Sequence, residues 1–188
     1  MSLSIYKPNQ KNTGCGFSFQ LGLDSKTQDP VLYIKAIKQH SWDENKRQGY
    51  FKENLNNPEK NIALKFNEFE VGGILNALFR RVEYSTFHAY NNDKTVIKIG
   101  PWDKKAKKSI KNESSGEWEE KWITIPAFSI SFTKNGNQNY SIPLEPGEST
   151  AVGEYMRFVL RRIFTERADK QIAQIKSKKS FPPDTAPF

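Results

Sequence analysis

The chain has 188 residues, a formal net charge of +8 and a single cysteine. Its length fits one domain of ordinary size or two small, closely packed halves, and no apolar run approaches the roughly 20 residues of a membrane-spanning helix. Cys15 has no partner for an internal disulfide and the N-terminus lacks a signal-like apolar segment, so we expect an intracellular protein without a membrane partner, in the cytoplasm or nucleoid, or in the host cytoplasm if viral.

The first half of the chain is predicted to fold as four strands and a helix. Residues 1–13 are polar, and we expect a flexible lead there. Four later segments alternate apolar and polar side chains as strands do: 14–23, 31–42, a short strand near Gln48–Lys52 within a charged arm over 43–60, and 61–66. Asn67 and Glu70 then form a capping-box-like pattern at the start of a helix, and Gly72-Gly73 inside that helix favour close packing.

The second half repeats this pattern. Strands are predicted over 84–90, 94–100, 122–134 and 139–144, of which 122–134 is one long strand or a bent pair. Asn91-Asn92-Asp93 is typical of a tight hairpin. Residues 103–121 are predicted to form a charged loop. A second helix is predicted from about 149 to 174, with a polar, exposed end after Thr165.

Two helical stretches carry the same apolar spacing at one constant offset, which indicates an internal duplication. Each stretch includes a double arginine, Arg80-Arg81 or Arg161-Arg162, and helix periodicity places each apolar set on one face. The matched pairs are Val71 with Val152, Ile74 with Tyr155, Leu75 with Met156, Leu78 with Val159, Phe79 with Leu160 and Val82 with Ile163. The alternative is chance, because any two amphipathic helices share this spacing.

The predicted fold class is α+β, with tandem β-β-β-β-α repeats. Residues 14–174 are expected to form a single domain of two halves, 14–82 and 83–174, with two antiparallel sheets packed with two helices. The core is expected to contain Phe17, Phe19, Phe128, Ile130 and Phe132.

The sequence offers little for catalysis. His40 and His88 show no metal-ligand spacing, and the chain has no Cys-x-x-Cys pair, nucleophile elbow or glycine-rich phosphate loop. His88 alternates with Tyr84, Thr86 and Tyr90, and we interpret it as an ordinary exposed strand histidine. We therefore expect no enzyme activity, no catalytic residue, no metal and no cofactor.

Cations and aromatic rings occur together on the predicted strands and arms, as single-stranded nucleic acid requires. Cations neutralise phosphates, and rings stack on unpaired bases. No recognition helix, basic zipper or zinc finger is visible, which favours single strands over duplex. Core packing is the alternative for each ring. The candidate binding residues are Tyr33, Lys35, Lys38, Arg47, Tyr50, Phe51, Lys52, Tyr84, His88, Tyr90, Lys94, Lys98, Trp102, Lys104, Lys105, Lys107, Lys108, Trp118 and Trp122.

The chain ends in a Pro-rich segment, 175–188, that is expected to be a disordered tail. Its closing Pro187-Phe188, with Asp184 nearby, resembles the tip of bacterial single-stranded-DNA-binding proteins, which docks replication and repair enzymes. The segment departs from that tip by lacking an acidic run. The resemblance implies that Pro187 and Phe188 bind replication or recombination proteins.

The doubled strand–helix pattern over about 14–165 resembles the Whirly family of single-stranded-DNA-binding proteins, most of all compact phage and bacterial versions. Each half also resembles the unit of the positive transcriptional coactivators that dimerise on single-stranded DNA. The shared elements are LKFNEFEVGGILNALF and IPLEPGESTAVGEYMRFVL, whereas the lysine-glycine-asparagine motif of plant Whirly proteins is absent. The resemblance implies pseudo-two-fold symmetry, sequence-tolerant binding along sheet faces and hairpin edges, and no catalytic residues. It is also compatible with a homo-oligomer.

We therefore expect a sequence-tolerant single-stranded-DNA-binding protein of replication, recombination or repair. One alternative is an RNA-binding or transcription-associated regulator on the same scaffold. Another is a structural or assembly protein whose basic face meets an acidic protein partner.

Overall fold

The computed structural model describes residues 1–113 and 116–179. The elements of the first half are β1 (Ser2–Lys7), β2 (Cys15–Leu23), β3 (Pro30–Lys38), β4 (Ser41–Asp43), β5 (Gln48–Tyr50), β6 (Asn61–Phe66) and α1 (Glu68–Arg80). Those of the second half are β7 (Tyr84–Tyr90), β8 (Asp93–Pro101), β9 (Lys104–Lys111), β10 (Trp118–Ile125), β11 (Phe128–Lys134), β12 (Gln138–Leu144) and α2 (Pro146–Lys179).

Each half builds one antiparallel sheet whose strands follow chain order. The first sheet has the order β1-β2-β3-β6 and the second the order β12-β11-β8-β7. The remaining strands pair as hairpins: β4 with β5 forms the first arm, and β9 with β10 forms the second arm. The predicted α+β class, with two antiparallel sheets and two helices, is confirmed over the described ranges.

The first half differs from the prediction in two details. The predicted flexible lead over 1–13 is wrong for Ser2–Lys7, which pair with β2 as an edge strand and place Ile5 opposite Phe17. The predicted strand near Gln48–Lys52 exists, but it pairs with β4 and does not join the sheet. The sheet therefore takes its remaining strand from the N-terminus, so the first half starts before residue 14.

The second half also differs from the prediction. Within 103–121, predicted as a loop, residues 104–111 and 118–121 are strands of the second arm, in which Lys104 lies opposite Ile125. The segment over 122–134 is a bent pair, broken at Pro126, which has no N–H to donate. The first arm interrupts the β3–β6 connection and the second interrupts β8–β11. The arms are therefore not counterparts in the repeat, although the sheets and helices are.

The inner faces of the two sheets pack against each other. The ring of Phe17 lies 5.0 Å from that of Phe132, and the ring of Phe66 stacks on Phe132 at 6.1 Å. Every residue predicted for the core is buried: Phe17, Phe19, Phe128, Ile130 and Phe132. Full burial of each such side chain contributes about 1.5–3 kcal/mol, so this interface is a main source of stability.

Helix α1 begins as predicted. The side-chain oxygen of Asn67 accepts hydrogen bonds from the N–H groups of Phe69 and Glu70, and the Glu70 carboxylate accepts one from the Asn67 N–H. This is a complete capping box. The prediction of close packing holds for Gly73, which faces Tyr84, and not for Gly72, which faces open space.

The two matched apolar stripes are buried to different depths. In α2 the buried members are Val152, Tyr155, Met156, Val159 and Ile163, and in α1 they are Val71, Ile74 and Leu78. Phe79 and Val82 are exposed instead. The guanidinium of Arg157 lies 4.1 Å from the Phe79 ring centre, so this ring joins the two helices at their surface.

The two helices end differently. α1 ends beside its double arginine, because Arg81 adopts the left-handed conformation with φ 53°. α2 continues past Arg161-Arg162 to Lys179, so the start of the predicted tail, 175–179, is helical. Across residues 1–113 and 116–179, no helix combines the length and apolar character that crossing a membrane requires.

Candidate nucleic-acid interface

The outward face of the first sheet follows from strand alternation. Since Phe17 and Phe19 face the core, every second position faces away from it. The pairing aligns Tyr33 with Lys65 across β3 and β6. The outward positions are Ser2, Ser4, Tyr6, Gly16, Ser18, Gln20, Gly22, Val31, Tyr33, Lys35, Ile37, Asn61, Ala63 and Lys65.

The outward face of the second sheet is set by the turn between β7 and β8. Asn91 and Asn92 have φ of 47° and 68°, so a two-residue turn places Tyr90 opposite Asp93. That register aligns Phe87 with Val96. The outward positions are Ser85, Phe87, Ala89, Lys94, Val96, Lys98, Gly100, Ser129, Ser131, Thr133, Asn139, Ser141 and Pro143.

Neither outward face carries an Asp or Glu. All eight sheet strands lie within the described residues, so this holds for the full set of outward positions on both sheets. The charges on these faces are those of Lys35, Lys65, Lys94 and Lys98. Many of the other outward positions carry Ser, Thr or Gly, which project little from the sheet. A polyanion can therefore approach both sheets without meeting a fixed negative charge on them.

One of these lysines, Lys65, forms an ion pair with a residue in a turn of its own sheet. The Lys65 ammonium lies 2.5 Å from Oδ2 of Asp24, in the turn between β2 and β3. The Asp24 side chain also accepts hydrogen bonds from the N–H groups of Lys26 and Thr27. The bond from Lys65, together with these N–H donors, lowers the pKa of the Asp24 carboxyl well below its usual range. Lys65 is therefore less free for phosphate than Lys35.

The first arm extends the outward face of the first sheet. Arg47 occupies its turn with φ 50° and is exposed. The ring of Phe51 lies 5.0 Å from that of Tyr6, on the neighbouring edge strand. Lys52 is exposed beside it. Cations and rings of the arm thus continue those of the sheet.

The second arm presents tryptophans and lysines on one side. Trp118 and Trp122 are 71% and 67% exposed, and strand pairing places them on the same side as Lys107, Lys105 and Lys111. The Lys107 ammonium lies 5.7 Å from the Trp122 ring centre. The two tryptophans are about 13 Å apart along the strand, at about 3.3 Å per residue. Trp118 is an open platform for stacking, whereas Lys107 lies over Trp122 and also pairs with Glu120, on the same side of the arm, at 2.8 Å.

A cleft of about 720 Å³ lies between the edge strands of the two sheets. Its walls include Lys65 from β6, Phe87 and Tyr90 from β7, and Lys134 from β11. The Tyr90 ring is 78% exposed at the turn. Glu70 and Asp93 also line the cleft, and Asp93 pairs with Lys134 at 2.7 Å, so the cleft offers rings between the two faces but is not purely cationic.

Three predicted binding residues face inward, and the structure corrects their placement. The Lys38 ammonium lies 5.2 Å from the buried Tyr140 ring, and Tyr84 packs on Gly73. His88 is half-buried, with Nε2 2.6 Å from Oε1 of Glu70. The prediction that His88 is an exposed strand histidine is wrong, because the turn register places it on the inner face of β7.

The other candidates fall into the groups described above. They are Tyr33 and Lys35 on the first sheet, Lys94 and Lys98 on the second, Tyr90 at the cleft, Arg47, Tyr50, Phe51 and Lys52 on the first arm, and Trp102, Lys104, Lys105, Lys107, Lys108, Trp118 and Trp122 on or beside the second arm. Lys104 is engaged with Glu145 at 2.5 Å. Pro187 and Phe188 lie outside the described residues.

Sequence reasoning missed several surface residues. Phe87 and Val96 are exposed neighbours on the second sheet, and the two-residue turn at Asn91-Asn92 would have placed them there. Tyr6 and Leu55 are also exposed. No local signal places these two, because they meet only through the pairing of β1 and the packing of the first arm.

Comparison with known proteins gives structural neighbours and no family match. No family model matches the chain, and no curated protein matches it. Among solved structures, WHY3 from Arabidopsis thaliana has a TM-score of 0.54 at 14% identity, over 94% of this chain and 96% of that chain. WHY1 from Arabidopsis thaliana has a TM-score of 0.54 at 15% identity, over 97% and 96%.

A further neighbour is described as the plant transcriptional regulator PBF-2. It has a TM-score of 0.50 at 15% identity, covering 99% of this chain and 90% of that chain. Identities this low establish the fold alone. The likeness extends over almost the whole of both chains, and it confirms the resemblance inferred from the doubled pattern: this chain has the Whirly fold.

Proposed function

We propose that this chain is a sequence-tolerant single-stranded-DNA-binding protein. The observation that supports this most is that both outward sheet faces carry lysines and exposed rings and no carboxylate. Lysines such as Lys35 and Lys98 neutralise phosphates. Rings such as Tyr33 and Phe87 stack on bases that have no partner strand.

Sequence tolerance follows from the chemistry of these groups. Stacking and phosphate neutralisation do not distinguish one base from another, and they require bases that are unstacked from a duplex. The Trp118 and Trp122 side of the second arm adds platforms beyond the sheets. Such a protein would act inside the cell in replication, recombination or repair. Its C-terminal tail would bind protein partners, and the mechanism is compatible with a homo-oligomer.

A transcription-associated role on the same surface is the second candidate. It is favoured by the structural neighbour described as a transcriptional regulator. Chemically it needs no other site, since RNA and DNA single strands share phosphates and stacking bases. An assembly protein that meets an acidic partner is the remaining alternative, because acidic side chains would be attracted by the same lysines.

Fluorescence titration of the full chain with oligothymidylate at rising salt tests the proposal. We expect affinity that falls steeply with salt, because binding releases counterions, and that greatly exceeds affinity for a duplex of equal length. Affinity independent of salt, or equal for duplex, contradicts the mechanism. Competition with an RNA oligomer of matching sequence separates the DNA-binding and RNA-binding candidates.

A further inference from the structure

A pocket of about 530 Å³ lies where the first arm meets the first sheet. Its apolar walls are Tyr6, Pro8, Ile37, Phe51 and Leu55. A neighbouring pocket of about 290 Å³ shares Tyr6, Ile37 and Leu55 and extends toward Lys35. The first pocket falls in the range of roughly 300–1,000 Å³ typical of sites for small organic ligands.

The pocket exposes apolar surface that folding leaves uncovered. Tyr6 is 51% exposed and Leu55 is 60% exposed. The Tyr6 and Phe51 rings are 5.0 Å apart and tilted by 58°, so they form two adjoining sides. Grouped apolar exposure of this kind marks a binding surface more often than scattered single residues do.

Hydrogen bonds hold these walls in place. The Asn61 side-chain amide donates to the carbonyl oxygens of Asn54, Leu55 and Asn57 at 3.0, 2.7 and 2.8 Å. The Asn54 amide donates to the Lys38 carbonyl at 3.0 Å. The loop that carries Leu55 is thus fixed to the sheet, and the pocket is formed before a ligand arrives, which lowers the entropy lost on binding.

The opposite wall is fixed by a glycine. A β-carbon on Gly16 would lie 2.3 Å from Cδ1 of Tyr6. The tyrosine ring can therefore lie against β2 only because position 16 has no side chain. Gly16 has the backbone conformation of an ordinary strand, so the backbone does not require glycine there. The role of this glycine is to let the Tyr6 ring approach β2 closely.

The charges around the pocket have one sign. Arg47 and Lys52 line the larger pocket and Lys35 lines the smaller one, whereas no lining residue of either pocket is an Asp or Glu. All of these residues lie within the described part of the chain. Apolar walls with ring faces and a cationic rim fit a flat, aromatic ligand that carries an anionic group.

We propose that this pocket takes one nucleobase turned out of the bound single strand, with the adjoining phosphate at Arg47 and Lys52. The inference rests on the proposed binding of single strands and assigns one nucleotide of that strand a fixed site. Elsewhere on the sheets, bases stack on open rings. Here a base is enclosed between Tyr6, Phe51 and Leu55, so this position sets the register of the strand on the protein.

Photocrosslinking tests the assignment directly. The full chain is mixed with oligothymidylate that carries a single 5-iodouracil, irradiated and digested, and crosslinked peptides are identified by mass spectrometry. We expect crosslinks at Tyr6 or Phe51. Tight binding with crosslinks only at other residues overturns the pocket while the proposed function stands. If oligothymidylate does not bind the protein at all, both the pocket assignment and the proposed function are wrong.

A variant pair supplies a second measurement. Leu55→Ser removes apolar surface from the pocket, and Leu23→Ser is the matched control, because Leu23 is 56% exposed and lines neither pocket. Saturation-transfer NMR with thymidine 5′-monophosphate is expected to show contact at the base protons for the wild type and Leu23→Ser and a loss of contact for Leu55→Ser. Light scattering measures the mass of the protein assembly. If Leu55→Ser instead lowers that mass and leaves the contact with the base unchanged, the pocket is an interface between protein chains and the proposal fails.

Discussion

The ring of Tyr84 occupies the space in front of Gly73. A β-carbon on Gly73 would lie 2.3 Å from Cε2 of Tyr84, whereas one on Gly72 would meet nothing within 4 Å. Both glycines lie inside α1. We expect Gly73→Ala to destabilise the protein by about 1–3 kcal/mol, the usual result of overpacking.

Gly72→Ala is the matched control for that change. Alanine exceeds glycine in helix propensity by about 0.8–1.0 kcal/mol, so the free energy of unfolding of this variant is expected to rise by up to that amount. Urea unfolding followed by circular dichroism compares the two variants. A rise in the free energy of unfolding in both variants would show that the Tyr84 ring moves aside without cost.

Asp24 links stability to pH through its ion pair with Lys65. The hydrogen bond from the Lys65 ammonium, with those from Thr27 and Lys26, lowers the pKa of Asp24 in the folded protein. A lowered folded pKa gives stability that is present above the unfolded pKa of about 3.9 and is lost as pH falls toward the folded value. We expect Asp24→Asn to be less stable than the wild type at neutral pH, and the difference to shrink as pH falls below about 4.

Urea unfolding at a series of pH values measures this difference. Asp169→Asn serves as the control, because Asp169 is exposed on α2. Its stability difference from the wild type is expected to be small. A difference for Asp24→Asn that stays constant down to low pH would contradict the role of the carboxylate charge.

The exposed tryptophans of the second arm are predicted to bind bases. Each stack contributes about 1–3 kcal/mol by alanine substitution, so Trp118→Ala and Trp122→Ala are each expected to weaken oligothymidylate binding by at least about 1 kcal/mol. Fluorescence anisotropy of a labelled oligomer measures this loss. Phe69→Ala is the control, since Phe69 is 83% exposed on α1 and lines neither the cleft nor the pockets described above. Its affinity should equal that of the wild type.

The outward lysines are predicted to set the salt dependence. For single strands, each phosphate neutralised adds about 0.7 to the slope of log affinity against log salt. Lys35→Ala and Lys98→Ala are therefore each expected to reduce that slope by about 0.7, with little change in preference among base compositions. Lys176→Ala, an exposed change on α2, should leave the slope unchanged. If all three variants have the same slope as the wild type, the DNA must bind elsewhere on the protein.

Local patterns predicted most of the architecture. The Asn67–Glu70 capping box, the Asn91-Asn92 turn and the buried rings of β2 and β11 all depend on neighbours in the chain, and such features follow from spacing alone. The edge strand β1 was not predictable in this way. Its residues form a strand because β2 offers an open edge and because the Tyr155 hydroxyl donates to the Met1 carbonyl, 154 positions away.

The second arm and strand β7 also show that a local pattern needs its partner strand before the position of each side chain is known. The lysines at 104–111 predict charge but not a strand, because their cross-strand partners in β10 are needed to pair the backbone. His88 and Phe87 are adjacent in sequence, and the register of β7 on β8, which the two-residue turn sets, decides which faces Glu70 and which faces solvent. A slip of one residue would exchange their faces.

The sequence by itself determined the composition of the surface and the periods of its elements: an excess of lysine, many rings, and a repeated strand–helix order. Tertiary structure decided which of those groups share a surface, since burial and pairing are properties of segments distant in the chain. It turned Lys38, Tyr84 and His88 inward, and it brought Tyr6 and Leu55 together with Phe51 to enclose a pocket.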